Sequence, residues 1–387
     1  MPDASYLEWP FFESHHRDVQ ARLSRWAADN LGAVPDHGDV ADTCRSLVHR
    51  LGEAGWLEHV IPRNGRIDVR AIALIRETLA YHAPLADFAF AMQGLGSAPI
   101  ALFGSEMQRN RYLAPVAAGN SIAAFALSEE QAGSDIRALE TTARRVHDGW
   151  RLDGAKTWIS NAGIADHYVV FCRVDGVADA GFGAFVIDAD APGLVVGERI
   201  EAIAPHVLGS LHFNDCAVSE HALIGKAGEG LKVALATLDV FRPTVGAAAL
   251  GMARRALDEA VSWAGQRHVF GRLLAEHQLT RARVAQMALD VDASALLVYR
   301  AAWAHDNGAV RTTREAAMAK LYATEAAQRV IDSAVQLLGG RGVMRGAVVE
   351  RLYREIRALR IYEGTSEIQQ IVIGGEVLGL TGGGRAR

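Results

Sequence analysis

Apolar residues recur at helical spacing from Phe11 to about Asn120, so the first third of the chain is predicted to be a set of helices. The period is plain in Val19-Gln20-Ala21-Arg22-Leu23-Ser24-Arg25-Trp26, in Cys44-Arg45-Ser46-Leu47-Val48-His49-Arg50-Leu51 and across residues 69–79, with Pro35, Pro62 and Pro84 as breakers. Residues 85–103 are almost wholly apolar, which predicts a buried helix interrupted by Gly94 and Gly96. That glycine pair reads equally well as close helix packing or as the wall of an apolar ligand cavity. Between Asn120 and Gly228 short β-type runs take over: Trp150-Arg151-Leu152, His167-Tyr168-Val169-Val170-Phe171-Cys172, Gly183-Ala184-Phe185-Val186-Ile187 and Leu194-Val195-Val196. Asp148-Gly149 and Asp153-Gly154 are turn signals of the hairpin kind. After Gly230 the helical period returns, over residues 231–266 with Pro243 as an expected kink, then 278–306 and 313–338. Thr312 and Glu315 have capping-box spacing at the start of the last of these. A shorter helix ending near Arg357 and another over 367–378 close the set, and the tail 381–387 is expected to be disordered.

The pattern gives a mainly helical α+β chain in three domains: an N-terminal helical domain over 1–120, a middle antiparallel β domain over 121–228, and a C-terminal helical bundle over 229–387. A length of 387 residues has room for two or three domains. The net charge of -5 gives no reason to expect nucleic acid or an anionic membrane as partner. No uninterrupted apolar run reaches membrane-spanning length and no secretory signal stands at Met1-Pro2-Asp3-Ala4-Ser5-Tyr6, so a cytoplasmic protein is expected. Cys44, Cys172 and Cys216 lie far apart without metal-ligand spacing, so each is expected to be a free buried thiol.

Chemistry concentrates in a few stretches. In Arg360-Ile361-Tyr362-Glu363-Gly364-Thr365-Ser366 a carboxylate sits among aromatic and β-branched residues, where burial would raise its pKa toward that of a useful base. The same residues also read as a plain helix start, with Thr365 or Ser366 as N-cap. Phe125-Ala126-Leu127-Ser128-Glu129-Glu130-Gln131-Ala132-Gly133-Ser134-Asp135 is a strand running into Gly-Ser, suited to a polar heterocycle or a phosphate, or an ordinary strand-to-turn junction. Lys156-Thr157-Trp158-Ile159-Ser160-Asn161-Ala162-Gly163 offers either an aromatic platform with a hydroxyl beside it or a buried core tryptophan. Arg267-His268-Val269-Phe270-Gly271, Gln278 and Gln336-Leu337-Leu338-Gly339-Gly340 suit phosphate pairing and close backbone approach, or mark simple helix ends.

Together these blocks, in order and spacing, resemble the acyl-CoA dehydrogenases, a family of FAD enzymes, from about Phe11 to Leu378. The resemblance implies an N-terminal helical domain, a middle β domain and a C-terminal four-helix bundle. It implies that Glu363 is the catalytic base, removing the α-proton of an acyl thioester while hydride leaves the β-carbon for flavin N5. The developing enolate would be met by the base's own N–H and a flavin ribityl hydroxyl. By the same resemblance Phe125, Leu127, Ser128, Gly133, Ser134, Trp158, Ile159 and Ser160 line the flavin. Arg267, Phe270, Gln278, Gln336, Gly339 and Gly340 meet the ADP half of FAD in a neighbouring subunit, and Thr365 and Glu367 flank the pyrophosphate. Ser134, Asp239, Arg242 and Gly364 fall on the acyl-CoA. An electron-transfer flavoprotein is the implied electron acceptor and a tetramer or dimer the implied assembly. Phe241 stands where one branch of the family carries its base, in keeping with Glu363 holding that role. Gln370 and Gly375 replace usual arginines, and Ile203-Ala204-Pro205-His206-Val207-Leu208 replaces a Gly-x-Arg-x-Ser stretch, which leaves acyl preference and carrier contacts open. His206 reads as a contact to the thioester arm or as a structural histidine. An acyl-CoA oxidase or monooxygenase on the same fold, and a catalytically silent flavin-binding relative, are the competing readings.

Overall fold

The computed structural model describes residues 4–32, 39–62, 66–177, 181–309 and 311–380. Pro35 and the tail 381–387, for which a breaker and disorder were expected, lie outside the described residues. The chain divides into two compact units, one of residues 1–36, 69–87 and 239–387, the other of residues 37–68 and 88–238. Five helices come first: α1 (Ser14–Asn30), α2 (Val40–Glu53), α3 (Val69–His82), α4 (Pro84–Phe103) and α5 (Glu106–Ala117). Eight strands follow: β1 (Ala123–Ala126), β2 (Thr142–Val146), β3 (Gly149–Ser160), β4 (His167–Val174), β5 (Phe182–Asp188), β6 (Leu194–Arg199), β7 (Leu208–Ser219) and β8 (Leu223–Gly228). The long α6 (Gly230–Gln266) leads into a hairpin of β9 (His268–Val269) and β10 (Arg272–Leu273). The chain then closes with α7 (Gln278–Asp306), α8 (Thr313–Leu338), α9 (Val348–Leu359) and α10 (Ser366–Val377).

The β unit holds one sheet in the order β6-β7-β3-β2-β4-β5-β8, with β1 beside β4. It is mostly antiparallel, but β1 and β2 both run parallel to β4. The turn at Asp148-Gly149 is real, since Val146 pairs with Gly149 across two residues. Asp153-Gly154 is not a turn. It lies inside β3, where the register against β7 shifts between Leu152 and Gly154, so the pair marks a β-bulge. A side chain at Gly154 would sit 2.7 Å from the Cα of Thr141, which is why this bulge carries glycine. The strands β7 and β8 carry no clean alternation and were not foreseen. Within this unit α4 continues unbroken through its glycines, and a Cβ on Gly96 would meet that of Ala123 at 2.5 Å. Close packing of α4 on β1, not a cavity, therefore explains Gly96. The three cysteines are free and buried.

In the helical unit the core is an alanine-rich interface in which α6, α7, α8 and α9 meet α3 and the N-terminal segment. Small residues let the axes approach: a Cβ on Gly251 would lie 2.1 Å from the carbonyl oxygen of Glu77. The capping box expected at Thr312 does not form, because the Thr312 side chain accepts no cap hydrogen bond at the start of α8. Pro243 lies inside α6, which runs through it for 37 residues. By length and composition α4 and α6 are apolar enough to cross a membrane, contrary to the expectation from the sequence, yet 83% of each window is buried in the protein. Their apolarity is that of core helices.

Candidate active site

Glu363 stands in the turn between α9 and α10 with φ +54°, and Gly364 follows with φ +93°. A left-handed glutamate is strained backbone that surrounding structure must hold in place. Here the holding is done through the main chain. Lys320 Nζ donates to the Gly364 carbonyl at 2.8 Å, and Gln369 Nε2 donates to the carbonyls of Glu363 (3.2 Å) and Gly364 (3.0 Å). Arg242 Nε adds a long contact to the Glu363 carbonyl at 3.5 Å. Thr365, not Ser366, is the N-cap of α10, accepting from Ile368 N at 3.3 Å. Ser366 instead donates to Glu325, which also pairs with Arg360, so both ends of the turn are tied to α8.

The side chain of Glu363 has no such support. Both carboxylate oxygens are inaccessible and lack any hydrogen-bond partner, although the residue as a whole is only half-buried. Buried polar groups are nearly always paired, so an orphaned carboxylate needs an explanation. Burial pushes its pKa up, while Arg76, Lys320 and Arg242 pull it back down and Asp87 raises it further. Among the described residues its N–H finds no acceptor, leaving a donor free beside the carboxylate. A buried carboxylate with both oxygens free and a donor beside it has the chemistry of a general base.

Asp239 and Arg242 are brought to this turn, but they satisfy each other: Arg242 Nη1 donates to Asp239 at 2.9 Å, and Thr313 donates to the other Asp239 oxygen at 3.0 Å. Phe241, between them on α6, is fully buried, so that position carries core and not chemistry. Glu367 is exposed, and its own backbone N–H, with the Thr365 hydroxyl, holds its carboxyl below the usual range. An anion at this terminus would therefore share it with Glu367 and rely on N–H groups and Thr365. Arg267, Phe270, Gln278, Gln336, Gly339 and Gly340 are all exposed, Phe270 by 94%. Arg341 lies over the Trp263 ring at 5.4 Å, which joins the end of α6, just before Arg267, to the Gly339–Gly340 corner.

The β unit presents its own surface. Trp158 is 60% exposed with φ +59°, on a second bulge of β3 between Lys156 and Ile159. It is thus a displayed ring and not the core tryptophan that its residue type would suggest. Ile159 turns the other way, 2% exposed, so any ligand contact from it is by main chain. Phe125 and Leu127 pack half-buried against the sheet core, Phe125 against Phe171 at 4.8 Å between ring centroids. Ser128 is joined to this bulge, its carbonyl accepting from Thr157 N at 3.0 Å, while Gly133 and Ser134 are exposed.

The staple behind Ser128 was not visible in the sequence: the fully buried Lys156 ammonium donates to Glu129 at 2.6 Å and to the Leu127 carbonyl at 3.1 Å. Glu129 in turn accepts from the N–H groups of Glu140 and Thr141. Ser160 is half-buried at the end of β3. His206 is buried and stacked on Phe88 at 4.3 Å, the structural alternative. A displayed indole beside a hydroxyl-bearing loop fits a planar polar ring, and the α10 N-terminus fits an anionic group; these are the two features a flavin dinucleotide requires.

Comparison with known proteins gives the same direction. Profiles of the acyl-CoA dehydrogenase N-terminal, middle and C-terminal domains match residues 13–120, 124–216 and 228–378. The chain is 38% identical to the mitochondrial short-chain specific acyl-CoA dehydrogenase of Rattus norvegicus over 340 residues, covering 86% of this chain and 82% of that one. It superimposes on the butyryl-CoA dehydrogenase of Megasphaera elsdenii with TM-score 0.88 at 30% identity, covering 95% and 99% of the two chains. An acyl-CoA dehydrogenase of Bacillus anthracis, solved in complex with FAD, superimposes with TM-score 0.87 at 28% identity, covering 98% of this chain and 71% of that one.

Proposed function

The chain belongs to the acyl-CoA dehydrogenase family, and on that premise we propose that it is an FAD enzyme removing the α- and β-hydrogens of an acyl thioester to give a trans-2-enoyl thioester. The observation that carries this reading is the Glu363 carboxylate, buried and without a hydrogen-bond partner among three cationic side chains. FAD, when bound, supplies the acceptor for the hydride that leaves the substrate β-carbon. Glu363 takes the proton from the α-carbon. Burial raises its pKa, which makes it a stronger base than an exposed glutamate, and the neighbouring cations act against that rise in favour of the carboxylate. Lys320 and Gln369 fix the carbonyls of the turn, so the carboxylate and the adjacent free N–H keep one geometry as negative charge develops on the thioester oxygen.

Trp158, with Ser128 and Ser160 beside it, is the surface proposed to hold the flavin ring, and Thr365 with the first N–H groups of α10 the pyrophosphate. The exposure of Arg267, Phe270, Gln278, Gln336, Gly339 and Gly340 suits a cofactor carried by another copy of the chain. So does a stripe of three exposed apolar residues at seven-residue spacing on α7, Leu289, Leu296 and Trp303, which an assembly would cover. Ser134, Asp239, Arg242 and Gly364 remain the proposed contacts to acyl-CoA. The electrons are proposed to pass to an electron-transfer flavoprotein. Three buried free thiols fit a reducing compartment, and a cytoplasmic location is part of the proposal.

The decisive experiment is Glu363→Gln. Bleaching of the flavin by acyl-CoA is expected to fall by at least ~1000-fold while FAD stays bound, since an amide replaces the carboxylate proposed to take the proton. Undiminished bleaching would remove Glu363 as the base.

A further inference from the structure

Resting on that reading of Glu363, we propose that Arg76 is a positioning residue for the reaction: locked by Asp87 and Thr244, it supplies a fixed counter-charge that favours the carboxylate form of the base. An ionised carboxylate without hydrogen bonds needs a nearby positive charge. The charged groups facing Glu363 come from four helices: Arg76 on α3, Lys320 on α8, Arg242 on α6 and Asp87 at the start of α4. Their other commitments separate them. Arg242 is paired with Asp239, whose side chain is 32% exposed, so that charge is shared with solvent. Lys320 spends its ammonium on the Gly364 carbonyl, and burial brings its pKa down to about 8, so its charge fades as pH rises through that range.

Arg76 is 1% exposed, and a guanidinium keeps its charge at every working pH. Its Nε and Nη2 donate to the two oxygens of Asp87 at 2.8 and 2.9 Å, and its Nη1 donates to Thr244 Oγ1 at 3.1 Å. Thr244 donates its own hydroxyl hydrogen bond to the Phe241 carbonyl at 2.7 Å, so the guanidinium plane is fixed from two helices. A buried ion pair contributes little to stability compared with apolar residues of the same volume, so stability alone does not account for this one. Its two members act on Glu363 with opposite sign: Arg76 favours the carboxylate, Asp87 the acid.

That opposition makes the test. In holoenzyme, the rate of flavin bleaching is followed against pH with the fastest of butyryl-, octanoyl- and palmitoyl-CoA. The acidic limb is expected to move up by about one pH unit in Arg76→Gln and down in Asp87→Asn, while Arg76→Lys stays near wild type. The carboxylic-acid band that titrates in the infrared spectrum, assigned by its loss in Glu363→Gln, is expected to shift in the same two directions. If Arg76→Gln does not fold, Arg76→Met with Asp87→Leu leaves no unpaired charge and is expected to show a smaller upward shift. Limbs that stay in place, or that move the same way in both single variants, overturn the role of Arg76 and leave Glu363 untouched. Wild-type bleaching by Glu363→Gln overturns the base assignment itself.

Discussion

Glu363 occupies backbone in which Asn, Asp and Gly sit with least strain, and the surrounding residues supply what its own preference lacks. Gln369 supplies most of it, with one amide group donating to two successive carbonyls. Gln369→Leu is therefore expected to destabilise the protein by about 1–3 kcal/mol and to slow bleaching roughly tenfold with FAD retained. Thermal unfolding and stopped-flow reduction check the two parts, and an unchanged reduction rate would show that the turn holds itself. The base was legible because it lies in a short stretch with its cap and glycine. Its partners were not. Arg76, Lys320 and Gln369 come from α3, α8 and α10, and nothing in the pattern of a buried helix face says which of its few polar residues will turn toward one distant turn. Trp158 was legible as an aromatic on a strand but not as an exposed one, because exposure there depends on a bulge that the apolar pattern does not encode.

At the scale of elements, the long helices were readable nearly to their ends, since α6, α7 and α8 repeat the apolar period over many turns. The sheet was less so. Asp-Gly reads as a hairpin turn in isolation, and at Asp153-Gly154 tertiary pairing with β7 turned the same dipeptide into a bulge within a strand. Central strands have no polar face to mark them, and β4 is buried along most of its length, His167 included. Burial lowers the His167 pKa to about 4, with Nε2 lacking a partner, so the folded sheet excludes the proton that an unfolded chain accepts near pH 6.5. Protons then bind preferentially to the unfolded state between those values, and stability is lost as pH falls from about 6.5 to 4, by up to about 3 kcal/mol. His167→Phe keeps a ring against Tyr112, now 4.8 Å away, and is expected to flatten this part of the acid unfolding curve; a curve of unchanged slope would argue against it.

At the scale of the whole molecule, each unit has a core of its own, one an alanine-rich helix interface and the other packed around the sheet. Among the exposed apolar residues are the α7 stripe of Leu289, Leu296 and Trp303 and the displayed Phe270 near its start. Leu289→Glu with Leu296→Glu is expected to convert an oligomer to a smaller species in light scattering and to lower FAD content, because the ring at Phe270 and the guanidinium at Arg267 would lose the copy-to-copy role proposed for them. A monomeric wild type with full FAD would refute the assembly. The whole-molecule view also gives the turn at Glu363 a different meaning. At Glu363 and Gly364 the grip is on carbonyl oxygens, which every amino acid has, and none of it is on the carboxylate. The holder and the reagent are thus separate side chains. Such a chain is free to exchange its reagent over evolutionary time, or in the laboratory, without rebuilding the mount that aims it.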